Sequence, residues 1–351
     1  MREPSAPDPA RRVSGVDSLR GIAAFSVVWF HATYLNTLLP DGALKSSGHF
    51  GWLGVEVFFV ISGFIIPYSM HAAGYAISHY PSFLAKRITR LDPPYLLSIA
   101  LTLALTFLVN LKPGYTGEPF RIDPLGLILH LGYLNAFLGR EWVNPIYWTL
   151  AIEFQYYLIV GLAFPLMSSG RRSVRLAFFG SAIMLSLCIR SGNMIFVYAP
   201  IFLIGVALFE FHAKIVKGNE AIMLIGACAL AAALSLDIRY SAAGLLAVAA
   251  IRFLRLDYAP LKFLGLVSYS LYLIHVPLAK PIWRAAGSLG VNPYVALAAV
   301  VAASLAGAWA FYLIIERPAQ RWSRRFTYGR ARARGNAAAV SGLASDGKAA
   351  T

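Results

Sequence analysis

The amino-acid sequence predicts an all-α protein, a polytopic transmembrane helical bundle of about ten spans with both termini in the cytoplasm. Three observations carry that expectation. Of 351 residues, 58% are hydrophobic and only 13% are charged, about half the charged share of an ordinary soluble chain. The apolar residues fall into separated blocks near the ~20 residues needed to cross a hydrocarbon core. Lys and Arg collect in alternate connections, the bias of cytoplasmic loops. The net charge of +15 follows from that bias and calls for no nucleic-acid partner. Cys188 and Cys228 both lie in apolar blocks, so neither a disulfide framework nor a metal site is expected.

Taken in order, the expected spans are 19–38, 50–70, 92–111, 146–167, 174–190, 193–211, 220–236, 240–254, 263–283 and 293–315. The first follows a polar, Pro-rich, basic start without a small-residue cleavage site and reads as an uncleaved span. With the N-terminus inside, the inner connections hold Arg11 and Arg12; Lys86, Arg87 and Arg90; Arg171, Arg172 and Arg175; Lys214 and Lys217; Arg252, Arg255 and Lys262; and the Arg-rich tail. That is roughly three quarters of all Lys and Arg, as a correct topology requires. Segment 124–139 is apolar enough to suggest an eleventh span. Counting it would put Arg171, Arg172 and Arg175 outside, so it is expected to be re-entrant or interfacial on the outer side. The organisation is then a cytoplasmic segment 1–16, a transmembrane domain 17–317 and a basic tail 318–351, disordered and lying against anionic headgroups. No internal repeat of the kind found in many transporters is visible.

Ionisable residues inside spans are costly and mark function. Arg20 lies at the inner end of the first span with Asp17 near the same stripe. His31 follows eleven residues later, about three turns and ~16 Å on, so it shares a face with Arg20. Glu56 and Glu153 lie about 9–10 Å below the outer ends of the second and fourth spans. His275 in the ninth span comes out near that depth. These positions predict a polar chamber holding His31, Glu56, Glu153 and His275 above a basic cytoplasmic mouth of Arg20, Arg87 and Arg90. Each can also be read blandly, the histidines and glutamates as polar contacts between helices and Arg87 and Arg90 as topology charges.

The stretch Asp17-Ser18-Leu19-Arg20-Gly21-Ile22-Ala23-Ala24, with His31 following, resembles the opening of the acyltransferase 3 family. Gly54-Val55-Glu56-Val57-Phe58-Phe59-Val60-Ile61-Ser62-Gly63-Phe64 resembles its second-span motif, and Arg87-Ile88-Thr89-Arg90 its Arg-x-x-Arg motif. Trp148-Thr149-Leu150-Ala151-Ile152-Glu153-Phe154-Gln155-Tyr156-Tyr157 is similar to its Trp-Ser-Leu-x-x-Glu-Glu-Gln-Phe-Tyr motif. Ser268-Tyr269-Ser270-Leu271-Tyr272-Leu273-Ile274-His275 and Glu316-Arg317-Pro318 resemble its closing motifs. One departure stands out: the family's Glu-Glu pair is Glu153-Phe154 here, which puts any role of a second acid in doubt.

The resemblance implies a bacterial inner-membrane O-acyltransferase acting on polysaccharides or other glycans. Its co-substrate would be acetyl-CoA or another acyl-CoA, used from the cytoplasm, with no bound cofactor and membrane lipid as its surroundings. It implies His31 and Glu153 as catalytic residues, His31 serving as general base or as acyl carrier. Arg20, Arg87 and Arg90 would hold the acyl-CoA, guanidinium forks suiting phosphates. Asp17, Glu56, Trp148, Tyr269 and His275 would support the polar chamber. The rival class is a transporter or channel using the same chamber, which predicts inverted repeats and broken helices that the sequence does not display.

Overall fold

A computed structural model describes residues 15–111, 120–254 and 258–328. Most of the expected N-terminal segment and of the basic tail lies outside these residues, as do Arg11, Arg12 and Arg255. Among the described residues there are helices and no strands. In chain order they are α1 (Val16–Ala32), α2 (Ala43–Ser46), α3 (Gly54–Ala73), α4 (Tyr80–Asn110), α5 (Pro124–His130), α6 (Trp148–Met167) and α7 (Arg172–Cys188). There follow α8 (Ile195–His212), α9 (Gly218–Ser235), α10 (Ile238–Phe253), α11 (Ala259–Leu289), α12 (Pro293–Phe311) and α13 (Arg317–Ser323).

Each of the ten longer helices overlaps one expected span, but α4 begins twelve residues before the expected start at 92, so Lys86, Arg87 and Arg90 lie within a helix rather than in the expected inner connection. Among the described residues seven helical runs are long and apolar enough to cross a membrane: Ala43–Ala73, Ile77–Asn110, Pro145–Met167, Ile195–His212, Gly218–Ser235, Ala259–Leu289 and Pro293–Ser323. α1, α7 and α10 have 17, 17 and 16 residues and reach only about 24–26 Å. The chain is thus an all-α, membrane-embedded helical bundle. In segment 124–139, α5 is seven residues long and so about 10 Å, too short to cross.

α8 forms the centre, with buried residues on every side of the helix, the pattern of an element surrounded by others. α3 packs on it through Phe59, whose ring lies 4.6 Å from that of Phe202. α1 and α11 run parallel and touch backbone to backbone. A Cβ on Gly21 would come within 2.5 Å of the Gly265 amide nitrogen, and one on Gly265 would collide with the Asp17 carbonyl. In lipid, where apolar side chains gain little by leaving the solvent, small residues that allow such close approach hold helices together.

One end of the bundle carries Asp17, Lys86, Tyr75 and Tyr328; the Lys86 ammonium sits 5.2 Å from the Tyr328 ring. The opposite end carries α5, the connection before α6 and the C-terminal turns of α11. Arg175, expected as a loop charge, is buried at the Asp17 end. It donates to Glu220 at 3.0 Å and Ser169 O at 2.7 Å and lies 3.7 Å from Glu210, tying α7, α8 and α9 together. A buried arginine needs such partners.

The first helix departs from expectation. It ends at Ala32 rather than near residue 38, so His31 stands in its last turn. Hydropathy does not mark this stop. Thr33 folds back onto the Trp29 carbonyl at 2.6 Å, and Pro40, Asp41 and Gly42 form the turn that precedes α2.

Candidate active site

The sequence-derived residues separate into two groups along the bundle axis. The first surrounds a cavity of about 310 Å³ toward the Asp17 end. α1 supplies Asp17 and Arg20, α4 supplies Arg87 and Arg90, α6 supplies Glu153, and α11 supplies Tyr269. The Arg-x-x-Arg spacing puts both α4 guanidiniums on one helical face. Arg87 lies over the rings of Phe83 and Tyr157 at 5.4 and 5.6 Å, and its buried Nε has no hydrogen-bond partner. Rings on one side and an unused donor on the other hold a guanidinium ready for an anion. Glu153 accepts from Ser62 Oγ at 2.8 Å. Tyr269 donates to the Leu91 carbonyl at 2.8 Å, which binds α11 to α4.

The second group is the histidine pair. His275 Nε2 lies 3.4 Å from His31 Nδ1, with ring centroids 5.0 Å apart. The neighbouring carbonyls assign the protons. His31 Nδ1 is 2.8 Å from Val27 O, and His275 Nδ1 is 2.8 Å from Tyr272 O and 3.1 Å from Leu271 O. A carbonyl can only accept, so both Nδ1 atoms carry hydrogen in the neutral rings. His275 Nε2 is then an acceptor facing the His31 Nδ1–H. His31 Nε2 keeps its lone pair and makes no hydrogen bond among the described residues.

The pair stands in the wall between two spaces. Tyr272, one turn before His275, lines the inner cavity and shares a 2.7 Å hydrogen bond with Thr149. Val276 and Pro277, just after His275, line a larger groove of about 750 Å³ at the α5 end. The chamber expected to gather four groups at one depth is therefore divided. Glu153 belongs with the arginines, and its hydrogen bond runs to Ser62 rather than to His31. Glu56 is buried in the first turn of α3, with one carboxylate oxygen unpartnered. Trp148 packs on Tyr198 at 5.6 Å, beside the chamber rather than on its wall. The cause is the early end of α1, which puts His31 in the last turn of the helix, nearer the α5 end than a span reaching residue 38 would put it.

Glu316 was not among the expected site residues, although its motif was visible. It sits in a π-helical turn, Tyr312–Glu316, a local widening common at functional positions. Its carboxylate accepts from Ser270 Oγ at 2.5 Å and from the Ser270 amide at 3.2 Å. It also lies close enough to Arg20 and Arg90 for their charges to act on it. Glu153 thus lines the cavity with the three arginines, and the Glu316 charge reaches two of them. Among the described residues no group of His, Cys, Asp and Glu could hold a metal ion.

The chain matches the acyltransferase domain family known as acyltransferase 3 over residues 13–313. It is 32% identical over 158 residues to YrhL of Bacillus subtilis, named for peptidoglycan O-acetylation, covering 42% of this chain and 23% of that one. It is 29% identical over 163 residues to the O-acetyltransferase OatA of Staphylococcus aureus, covering 43% of this chain and 24% of that one. A protein of the Acidianus two-tailed virus, ORF330, named as an acetyltransferase, is 30% identical over 147 residues, covering 42% and 39%. The chain thus spans about a quarter of the length of the two bacterial relatives. No solved structure matches it.

Proposed function

The chain belongs to the acyltransferase 3 family, and on that premise we propose that it transfers an acetyl group from cytoplasmic acetyl-CoA to a hydroxyl of a glycan on the other side of the membrane. The Asp17 end, rich in Lys and Arg, is the cytoplasmic end in this reading. Arg20, Arg87 and Arg90 bind the CoA phosphates, and the acyl-pantetheine arm extends along the cavity toward Tyr272. The glycan comes from the groove at the α5 end.

The reaction forms a C–O bond and breaks the thioester C–S bond. His31 Nε2 takes the proton of the acceptor hydroxyl as its oxygen attacks the acetyl carbonyl. The electron pair of the broken bond leaves on the CoA sulfur, and the imidazolium returns the proton there. His31 Nδ1–H stays on Val27 O throughout, which fixes the ring. His275 is a positioning residue that receives the same hydrogen. Glu153 and Glu316 balance the arginines and keep them ordered when no anion is bound.

The observation that carries this reading is the place of the pair, between an arginine-lined cavity and a polar groove, with the His31 Nε2 lone pair uncommitted. Its test is His31→Asn, whose amide nitrogen can keep the bond to Val27 O while the basic nitrogen is lost. Purified protein should bind acetyl-CoA normally and transfer radiolabelled acetyl at least a hundredfold more slowly. Near-normal turnover by a well-folded variant would reduce His31 to a packing contact.

A further inference from the structure

We propose that the groove at the α5 end is built for an anionic saccharide, a sugar bearing a carboxylate, and that Lys280 is its charge anchor. The inference rests on the acyltransferase reading above and names the acceptor class it requires. The groove, at about 750 Å³, is of the size that takes an oligosaccharide-sized ligand. Four basic side chains line it, Arg121, Arg140, Lys280 and Arg284, against the carboxylates of Asp123 and Glu141. Arg140 is engaged with Asp123 at 3.5 Å, both about half exposed, a pair of little strength. Lys280 forms no ion pair among the described residues. His130 adds no positive charge to the groove, because burial lowers its imidazole below the usual range.

Two further features select a sugar. Trp142 lines the groove, braced edge-on by His130 at 5.4 Å, and such a ring suits the apolar face of a pyranose. Lys280 and Arg284 are one turn apart on α11, so both guide an anion to the same strip of wall. Lys280 also lies near enough to His31 for its charge to reach the imidazole. A carboxylate held there brings its own or the adjoining sugar's hydroxyls toward His31 Nε2. The commonplace role for such cations is to anchor the helix at a lipid headgroup, and the experiment separates the two.

The full chain in phosphatidylcholine nanodiscs is titrated with trigalacturonate and with neutral galactotriose. Trigalacturonate should bind at least tenfold more tightly. Lys280→Gln should erase that preference and Lys280→Arg should keep it. Arg239→Gln, exposed in the first turn of α10 at the same end of the bundle, should leave it intact. Thermal melts verify that each variant is folded. Equal binding of the two sugars, binding of neither, or an undiminished preference in Lys280→Gln overturns the proposal. So does displacement of trigalacturonate by phosphatidylglycerol added to the nanodiscs, which would make the groove a headgroup site. Acetyl-CoA binding is read on the same samples. Its absence with the sugar preference intact would defeat the acyltransferase reading and not the groove.

Discussion

Replacing His275 by Asn distinguishes the two members of the pair. An Asn amide nitrogen can occupy the position of the imidazole Nδ1 and keep the bond to Tyr272 O, now 2.8 Å, while the Nε2 acceptor disappears. His31 then loses its 3.4 Å contact but retains Val27 O at 2.8 Å. The longer contact lies beyond the best range for a nitrogen donor, so it is the weaker share of a divided hydrogen bond. Its removal should cost about 0.5–1.5 kcal/mol, or roughly two- to thirteenfold in the transfer step. Loss of the general base itself costs about 10²–10⁴-fold. Single-turnover transfer of radiolabelled acetyl, with a thermal melt on each variant, reads the difference. A loss beyond a hundredfold in folded His275→Asn would show that His275 takes the proton and would refute the assignment to His31.

Two other expectations follow from the inner cavity and the topology. Arg87→Ala and Arg90→Ala should each weaken acetyl-CoA binding by roughly tenfold or more; unchanged affinity in isothermal titration would leave them as topology charges. In a background lacking Cys188 and Cys228, cysteines placed at Ile88 and Arg172 should both react with membrane-impermeant maleimide only from the cytoplasmic side, and labelling of position 172 from outside would overturn the span order.

Much of the architecture was legible because lipid imposes a coarse rule. A helix that must bury its backbone polarity shows as an apolar block, and ten such blocks match ten helices. The short α5 was legible through charge parity, since crossing would have exported Arg171 and its neighbours. Arg20, Arg87 and Arg90 could be brought together because Lys and Arg mark one side. The separation of Glu153 from His31 was not legible. It depends on where α1 ends, which Thr33 and the turn after it decide and hydropathy does not register. Glu316 was hidden for a related reason. Its reach to Ser270 comes from a π-turn that no periodicity announces, and it stands at the edge of a basic run that reads as tail. Ser62 likewise acquires meaning only from Glu153 across the cavity, a contact between residues 91 positions apart.

The backbone contact of Gly21 with Gly265 acts as a shared zero on two parallel rulers. His31 stands ten residues beyond Gly21, and His275 stands ten residues beyond Gly265. Equal counts on parallel helices give equal rise, about 15 Å, so the imidazoles arrive at one height without any contact between the zero and the pair having to specify it. The side chains between can vary in kind while the count cannot. One residue inserted in α1 alone would carry His31 up by ~1.5 Å and around by ~100°, out of reach of its partner. The same insertion made in both helices would restore the common height but turn both rings ~100° in the same sense, off the seam between the helices.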